Sequence, residues 1–167
     1  MTRFFVRTAA ARDLPAISAL LAETWHATYD GIYGRERVDE ITASWHSISA
    51  LSPRLTRPNS EFIVADDGAL LGGMAYAAMD RAKKLISLHQ LYVLPSCQGQ
   101  GIGRMLLEEI EAAFPEGERL RLEVEAENQQ AIGFYESAGF EPAGTNTQHS
   151  SFSGLTVPAL IYEKRLD

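Results

Sequence analysis

One glycine-rich segment constrains the fold of this chain more than any other feature. It covers residues 98–104 with the sequence QGQGIGR, between a long apolar run that ends at Pro95 and an amphipathic pattern that starts at Ile102. Glycines let a backbone approach a ligand closely, and the first N–H groups of a helix, together with its dipole, favour an anion. A strand, this loop and a helix in that order therefore predict a site for a phosphate or pyrophosphate group.

The glycines alone leave two other interpretations open, a dinucleotide-binding turn and a plain tight turn. The spacing G-x-G-x-G lacks the final x-x-G of the dinucleotide motif, and the preceding strand lies in the middle of the chain. The lysine of a P-loop is also absent from this segment. A dinucleotide-dependent enzyme is therefore the weaker hypothesis, and it predicts stabilisation by NAD.

Hydrophobic periodicity predicts helices and strands on both sides of the segment. The predicted strands are Phe4–Arg7, Phe62–Ala65, Leu70–Met79, Leu85–Leu94, Leu120–Val124 and two more within residues 140–166. The first predicted helix begins at Leu14 after a capping Asp13 and is interrupted at Asp30-Gly31. Further helices are predicted over residues 38–48 and 102–114, followed by a short helix that is capped by Asn128 and ended by Gly139. Residues 1–167 show no repeat and no linker, so we expect one domain.

Composition excludes several classes of protein. The net charge of −7 opposes attraction to phosphate backbones, so we expect no nucleic-acid partner. Cys97 is the only cysteine, which rules out an internal disulfide and gives no sign of an oxidising compartment. The N-terminus lacks the apolar stretch of a secretory signal, and the uncharged, Gly-rich run Gly68–Met79 is shorter than the ~20 residues of a membrane helix. We therefore expect a cytoplasmic protein without a membrane partner.

A second motif lies downstream, where residues 128–140 follow the pattern N-x-x-A-x-x-F-Y-E-S-A-G-F. Together with QGQGIGR, and in this order of strands and helices, it resembles the GNAT superfamily of acetyl-CoA-dependent N-acetyltransferases. The resemblance extends over residues 4–166 and implies an α/β (α+β) GNAT-like fold. That fold is a mixed, mainly antiparallel sheet of about seven strands with helices on both faces.

The resemblance also implies an activity and a cosubstrate. An acetyl group would move from acetyl-CoA directly to the primary amine of a small molecule or protein N-terminus, within a ternary complex. The residues implied to bind acetyl-CoA are Leu91, Val93, Gln98, Gly99, Gly101, Gly103, Arg104 and Asn128. Leu91 and Val93 would pair with the pantetheine arm through their main chains, and the acyl thioester would enter between two parallel strands. The family often carries Arg or Lys where Gln98 and Gln100 stand, so backbone N–H groups and Arg104 would have to hold the phosphates.

Acyl transfer to an amine requires acid–base groups. With a reference pKa near 10, only about one alkylamine in a thousand is neutral at pH 7, so a base is useful. His89 and Glu123 are the candidates, and His89 is slightly favoured because imidazole titrates near neutral pH. Tyr135 is implied to protonate the leaving thiolate, and the N–H of Val93 to stabilise the oxyanion. Structural roles remain open for all three side chains: core packing for Tyr135, a structural histidine at 89 and simple solvation of Glu123.

Aromatic residues in the first two helices are implied to flank the acceptor, with Trp25 and Tyr29 as the main candidates beside Tyr33 and Trp45. Core packing is their alternative role. The four histidines show no acidic partners at ligand spacing, so we expect no metal. A non-catalytic acyl-CoA-binding sensor is the rival hypothesis. The acceptor's identity and the oligomeric state stay open, with a homodimer as one possible assembly.

Overall fold

Strands and helices alternate along the computed structural model, which describes residues 3–146 and 159–166. The strands are β1 (Phe5–Thr8), β2 (Ser60–Asp66), β3 (Leu71–Asp80), β4 (Leu85–Val93), β5 (Arg119–Glu125), β6 (Glu141–Asn146) and β7 (Ala159–Arg165). The helices are α1 (Leu14–Tyr33), α2 (Arg35–Trp45), α3 (Ile48–Leu51), α4 (Ile102–Ala113) and α5 (Gln129–Ser137). Within the described ranges, each helix is too short or too polar to cross a lipid bilayer.

The strands form one sheet in the order β1-β2-β3-β4-β5-β7-β6. All neighbours in this sheet are antiparallel except β4 and β5, which are parallel. The predicted mixed, mainly antiparallel sheet with packed helices is confirmed, and β4 lies at its centre. A parallel pair needs a crossover connection, and α4 provides it between β4 and β5.

The core lies where α1 and α4 pack against β3 and β4. The glycine pair in β3 allows this close approach. A Cβ atom at Gly72 would lie 2.6 Å from the ring of Phe4, and one at Gly73 would lie 3.0 Å from side-chain atoms of Ile102 and Leu106. Larger residues would push α4 off the sheet, so the glycines that interrupt this strand pattern serve packing.

The first helix departs from its prediction at both ends. Asp13 does not cap α1 with its side chain; its carboxylate accepts hydrogen bonds from the Arg7 guanidinium and from the N–H of Ala10. The helix also continues through Gly31 and ends at Gly34, which has φ 88°. A glycine inside a helix costs only about 1 kcal/mol, and the packing of the aromatic residues in this last part of α1 outweighs it.

The predicted helix over residues 38–48 is wrong at its C-terminal end. α2 stops at Trp45, and the chain starts α3 after Ser47, whose hydroxyl accepts a hydrogen bond from the N–H of Ala50 at 3.2 Å. Serine competes for backbone hydrogen bonds and favours such caps, which explains the break. In contrast, the cap of α5 is confirmed: Oδ1 of Asn128 accepts from the N–H of Ala131 at 3.2 Å. Gly139 lies just after α5 and has φ 99°, the left-handed conformation of a helix terminator, as predicted.

Candidate active site

The parallel strands β4 and β5 separate halfway along their length. Register pairs connect residues 85–88 of β4 to residues 119–122 of β5 and stop there. Both strands continue, β4 to Val93 and β5 to Glu125. The C-terminal half of β4 therefore has an open side towards β5.

The backbone of β4 presents hydrogen-bonding groups to this opening. The N–H of Leu94 donates to the carbonyl of Gly72 at 2.8 Å, and Val93 lies opposite Gly73. Hydrogen-bonded and non-hydrogen-bonded pairs alternate in an antiparallel ladder. Leu91 and Val93 therefore direct their main-chain N–H and C=O groups away from β3 and towards the gap.

His89 marks the point where the two strands part. Leu88 pairs with Ala77 and Gln90 pairs with Tyr76 on β3, so His89 is an extra residue without a partner in the ladder. Such a β-bulge bends a strand and is frequent next to active sites. The ring of His89 stacks on Tyr76 with 5.7 Å between the centroids.

The surroundings of His89 favour its neutral form. Desolvation in the cleft lowers the pKa of His89, and the positive charges of Arg57 and Arg54 lower it further, while the negative charge of Glu123 opposes them. A neutral imidazole has a free nitrogen lone pair at pH 7 and is able to accept a proton. This electrostatic setting fits a base.

A cleft of about 1470 Å³ runs from the glycine-rich segment to the first two helices. The residues that the sequence predicts for coenzyme binding and catalysis all line this cleft, as do Trp25, Tyr29 and Trp45, whereas Tyr33 does not. The cleft also includes the gap between β4 and β5. The site is therefore one continuous cavity, in which the predicted coenzyme, catalytic and acceptor residues meet.

The glycine-rich segment has the backbone geometry of an anion site. Gly99 and Gly101 have φ 82° and 80°, a left-handed conformation that side chains disfavour. Gly101 immediately precedes α4, whose first N–H groups have no acceptor inside the helix. Gly103 has a second use, since a Cβ there would lie 3.1 Å from the ring of Phe134 and separate α4 from α5. The residues present fit a pyrophosphate group.

Asn128, the N-cap of α5, and Tyr135 within α5 both line the cleft. The side chain of Asn128 caps the helix and also hydrogen-bonds to Tyr29, which links α5 to the acceptor side. Tyr135 is 8% exposed and packs edge-on against Phe134 and Phe140. Burial raises the pKa of Tyr135, so the hydroxyl keeps its proton at neutral pH. Tyr135 thus contributes to the core and lines the cleft at the same time.

The end of β5 contributes carboxylates. Glu123 is exposed and accepts a hydrogen bond from Nδ2 of Asn146 at 2.8 Å. Two residues further on, Glu125 is buried and accepts a hydrogen bond from the Tyr33 hydroxyl at 2.7 Å. Strand alternation placed both on one polar side, but it did not single out Glu125 for the site. This wall of the cleft is acidic.

The aromatic residues of α1 combine both roles that the sequence left open. Trp25 and Tyr29 are each 6% exposed, their rings are 4.5 Å apart, and both line the cleft. Trp25 also packs against Tyr92 of β4, and burial raises the pKa of Tyr92 to about 12. Trp45 is 44% exposed and lies at the edge of the cleft. Tyr33 does not line the cleft and packs against the ring of Tyr29. The aromatic cluster is therefore both core and cleft wall.

Arg54 and Arg57 line the cleft, although the sequence did not predict them for the site. Arg54 donates a hydrogen bond to Oε1 of Gln90, and its guanidinium lies 5.4 Å from the centre of the Tyr76 ring. Arg57 donates to the hydroxyl of the same Tyr76 at 3.3 Å. Both come from the stretch between Pro53 and Pro58, where the hydrophobic periodicity predicts neither a helix nor a strand. No periodic signal marks them, because the fold alone brings this loop to the cleft.

His46 is a second site residue that sequence reasoning missed. Its side chain is 2% exposed, lines the cleft and packs against Trp25 in a tilted arrangement, with 5.3 Å between the ring centroids. Within the described ranges, neither ring nitrogen of His46 has a hydrogen-bond partner. Burial, with a contribution from the Arg54 charge, lowers the pKa of His46 to about 4.

The expectation that the histidines lack acidic partners is wrong for His26. Its ring nitrogens contact Asp30 at 2.6 Å and Asp39 at 2.8 Å, which ties α1 to α2. Helical spacing brings Asp30 beside His26, and packing of the second helix brings Asp39. Among the described residues, no group of three or more side chains has the arrangement of a metal site. His149 lies outside the described residues.

Comparison with known proteins agrees with this geometry. The acetyltransferase (GNAT) family model matches residues 16–140. The N-alpha-acetyltransferase RimI of Mycobacterium tuberculosis is 33% identical over 110 residues, which cover 64% of this chain and 68% of RimI. The spermidine N(1)-acetyltransferase of Thermoplasma acidophilum is 26% identical over 148 residues, 84% of this chain and 90% of that protein. The crystal structure of the PaiA N-acetyltransferase from Thermoplasma acidophilum, in complex with coenzyme A, superimposes with a TM-score of 0.86 at 24% identity, covering 99% and 100% of the two chains.

The chain belongs to the acetyltransferase (GNAT) family, because the family model covers most of its length. The predicted N-acetyltransferase activity is confirmed by the family and by these relatives. They support acetyl transfer and give no support to the non-catalytic sensor that the sequence left open.

Proposed function

We propose that the cleft binds acetyl-CoA and a primary amine together and transfers the acetyl group directly between them. One observation carries this proposal: the open side of β4 lies in the same cavity as the glycine-rich segment and the polar residues His89, Glu123 and Tyr135. A direct transfer requires donor and acceptor to be present at once, and a continuous cavity allows this. No separate acyl-carrying nucleophile is then needed.

The donor end of the cleft binds acetyl-CoA in this proposal. The residues that hold the pyrophosphate are Gln98, Gly99, Gly101, Gly103 and Arg104, mainly through backbone N–H groups at the start of α4. Leu91 and Val93 bind the pantetheine arm through the main-chain groups that face the gap. Asn128 binds the arm near the acetyl group. Side chains at Gly99 and Gly101 would be strained at their positive φ angles, which fits a close backbone approach.

Three groups carry the proton transfers and the charge in this proposal. His89 accepts the ammonium proton, directly or through water, because its pKa is lowered and its imidazole is neutral at pH 7. The N–H of Val93 donates to the oxygen that becomes negative during attack. Tyr135, kept protonated by burial, gives its proton to the leaving thiolate. Glu123 is the alternative base, since it lines the same cavity.

The acceptor is a primary amine of a small molecule or of a protein N-terminus. RimI of Mycobacterium tuberculosis is named for N-alpha-acetylation and the Thermoplasma acidophilum relative for spermidine acetylation, so the similar proteins represent both kinds. Trp25 and Tyr29 form the apolar wall beside the acceptor.

Thermal unfolding tests the coenzyme site. A ligand at 100 times its Kd stabilises the folded state by about 2.7 kcal/mol, so acetyl-CoA is expected to raise the Tm. Gly101→Glu is expected to abolish this shift, because a carboxylate would enter the phosphate site. Gly101→Ala is the matched control: it carries the same backbone strain at φ 80° without the charge, and it should retain part of the shift.

Thiol release from acetyl-CoA then tests the transfer across small amines, amino acids, aminoglycosides and peptide N-termini. Turnover that requires an amine supports the proposal. A Tm shift without turnover of any amine would contradict transfer, and no Tm shift at millimolar acetyl-CoA would contradict the coenzyme site.

A further inference from the structure

Two walls of the acceptor end of the cleft carry opposite charges. Glu123 and Glu125 lie on β5, while Arg54 and Arg57 come from the loop between α3 and β2. His89 lies within electrostatic reach of both sets, because the arginines and Glu123 act on its pKa in opposite directions. The cavity is thus polarised across the place where the amine must react.

Arg54 and Arg57 differ from the ion-paired arginines Arg7 and Arg121 in their partners. Arg7 is partly buried and paired with Asp13 and Asp66, and Arg121 is paired with Glu163. In residues 3–146 and 159–166, Arg54 and Arg57 form no ion pair with a carboxylate; their hydrogen bonds go to neutral groups of Gln90 and Tyr76. Although the chain has 22 acidic and 15 basic residues, these two arginines lie in the cavity without a carboxylate partner among the described residues.

These contacts also fix the guanidinium of Arg54 in place. Its bond to Gln90 and its position over the Tyr76 ring hold the side chain, and Tyr76 is 3% exposed. Burial lowers the pKa of Arg54, which shows that its surroundings do not compensate the charge fully. A partly desolvated charge gains most from a counter-ion, and a guanidinium fork matches the oxygens of carboxylates and phosphates.

A neutral donor lies in the same corner of the cavity. His46 is almost completely buried, and its ring nitrogens have no hydrogen-bond partner within the described part of the chain. His46 and Arg54 line the same cavity, and the positive charge of Arg54 contributes to the lowered pKa of this imidazole. An anionic group beside Arg54 would meet the charge of Arg54 and an imidazole with unused hydrogen-bonding capacity.

We propose that the acceptor is a primary amine that also carries a carboxylate or phosphate group, and that Arg54 and Arg57 bind this anionic group. The amine then points towards His89 and the acidic wall of β5. This inference rests on the proposed acetyl transfer and deepens it, since it names the chemical class of the acceptor. An acceptor site of this kind differs from a polyamine site, because a polyamine carries only positive charge and the two arginines would repel it.

Matched pairs of acceptors test the proposal through thiol release from acetyl-CoA. Free α-amino acids are compared with their primary amides, and phosphoethanolamine with ethanolamine; spermidine serves as the polyamine. The anionic member of at least one pair is expected to have a kcat/KM about 10- to 100-fold higher, the range of hydrogen bonds to charged groups. The pair that shows the preference distinguishes carboxylate from phosphate.

Variants identify the residue responsible for the preference. Arg54→Gln should reduce the ratio of kcat/KM for the anionic acceptor to kcat/KM for its neutral partner to near 1, while the Tm shift with acetyl-CoA persists. Arg54→Lys should restore part of this preference. Arg57→Gln should lower the ratio less, because Arg57 is more exposed. Arg81→Gln is the control, since Arg81 lies in an exposed turn and pairs with Glu116.

Equal or better turnover of the neutral amines or spermidine would overturn this inference and leave acetyl transfer intact. A preference for anionic acceptors that survives in Arg54→Gln would also overturn it. Absence of turnover with every amine, despite a Tm shift with acetyl-CoA, would overturn the proposed function itself and this inference with it.

Discussion

The two halves of β4 have the same strand conformation but different partners. Residues 85–88 pair on both sides, with β3 and with β5, and their side chains are mostly buried and apolar. Beyond the bulge at His89, β4 pairs only with β3, and its other side opens onto the cleft. One strand therefore belongs to the core over half of its length and forms an open edge of the cleft over the other half.

The difference comes from what each half must satisfy. In the paired half, neighbouring strands saturate the backbone hydrogen bonds, so the sequence there needs only apolar side chains. In the open half, the main-chain groups of Leu91 and Val93 require another partner, which the proposed pantetheine arm provides. Changes in the open half should therefore affect catalysis, and changes in the paired half should affect stability.

The largest expected effect is that of Tyr135→Phe, which removes the proposed acid and keeps the ring in place. We expect kcat to fall by about 10²- to 10⁴-fold, with little change in the Tm shift caused by acetyl-CoA. Tyr33→Phe is the matched control, because Tyr33 lies behind the aromatic wall and bonds Glu125. Near-normal turnover of Tyr135→Phe, where chemistry limits the rate, would assign Tyr135 to packing alone.

In the paired half, Ile86→Ala tests the structural side of the comparison. Ile86 is fully buried and lies opposite Leu120 of β5, so its truncation should lower the free energy of unfolding by about 2–5 kcal/mol. Urea unfolding measures this loss, and kcat of the folded variant should stay within about threefold of the parent, because core truncation acts on stability. A tenfold fall in kcat with intact folding would show that the two halves of β4 are not independent.

His46 gives the cleft a pH-dependent stability. The pKa of His46 is lowered to about 4 in the folded chain, so between pH 6.5 and 4 this histidine is mostly protonated in the unfolded chain and mostly neutral in the folded chain. Stability from this residue is therefore present above pH 6.5 and is lost as the pH falls towards 4.

Replacement of His46 by phenylalanine removes this titration. Between pH 7 and 4.5, the parent should lose about 2 to 3 kcal/mol more of its free energy of unfolding than His46→Phe does. Urea titrations of both proteins at the two pH values measure the difference. Identical pH dependence in the two proteins would mean that His46 is protonated or hydrogen-bonded in the folded state.

The pH profile of kcat/KM sharpens the assignment of the base in the open half. Because desolvation and the two arginines lower the pKa of His89, the apparent pKa of the acid limb should lie below the usual histidine value of about 6.5. His89→Gln should remove this limb and lower the rate by about 10²-fold, and Glu123→Gln should do much less. If Glu123→Gln removes the limb while His89→Gln leaves it, the carboxylate is the base.

The sequence predicted the sheet, the turn at the glycine-rich segment and the Asn128 cap because those features leave local signals. Strand alternation, the glycines at 99 and 101 and the Asn128 cap each follow from residue type and spacing. The acceptor end left no such signal. Arg54, Arg57 and His46 come from a loop and a helix end, and only tertiary packing brings them to Tyr76 and Trp25.

The predicted helix boundaries failed for a related reason. Gly31 indicated a break, but the packing of Tyr29 with residues of α2 and the hydrogen bond of Tyr33 to Glu125 keep α1 helical to its end. Local propensity differs by about 1 kcal/mol between residues, and burial of an aromatic side chain outweighs it. Tertiary contacts of this kind cannot be inferred from spacing.

Amide hydrogen exchange in β4 tests the central claim most directly. The N–H groups of Leu91 and Val93 face the gap, so they should exchange rapidly in the free protein and become protected when acetyl-CoA is bound. The N–H groups of residues 85–88, already between two strands, should change little. Acetyl-CoA that binds and raises the Tm, yet leaves the exchange of Leu91 and Val93 unchanged, would contradict the account.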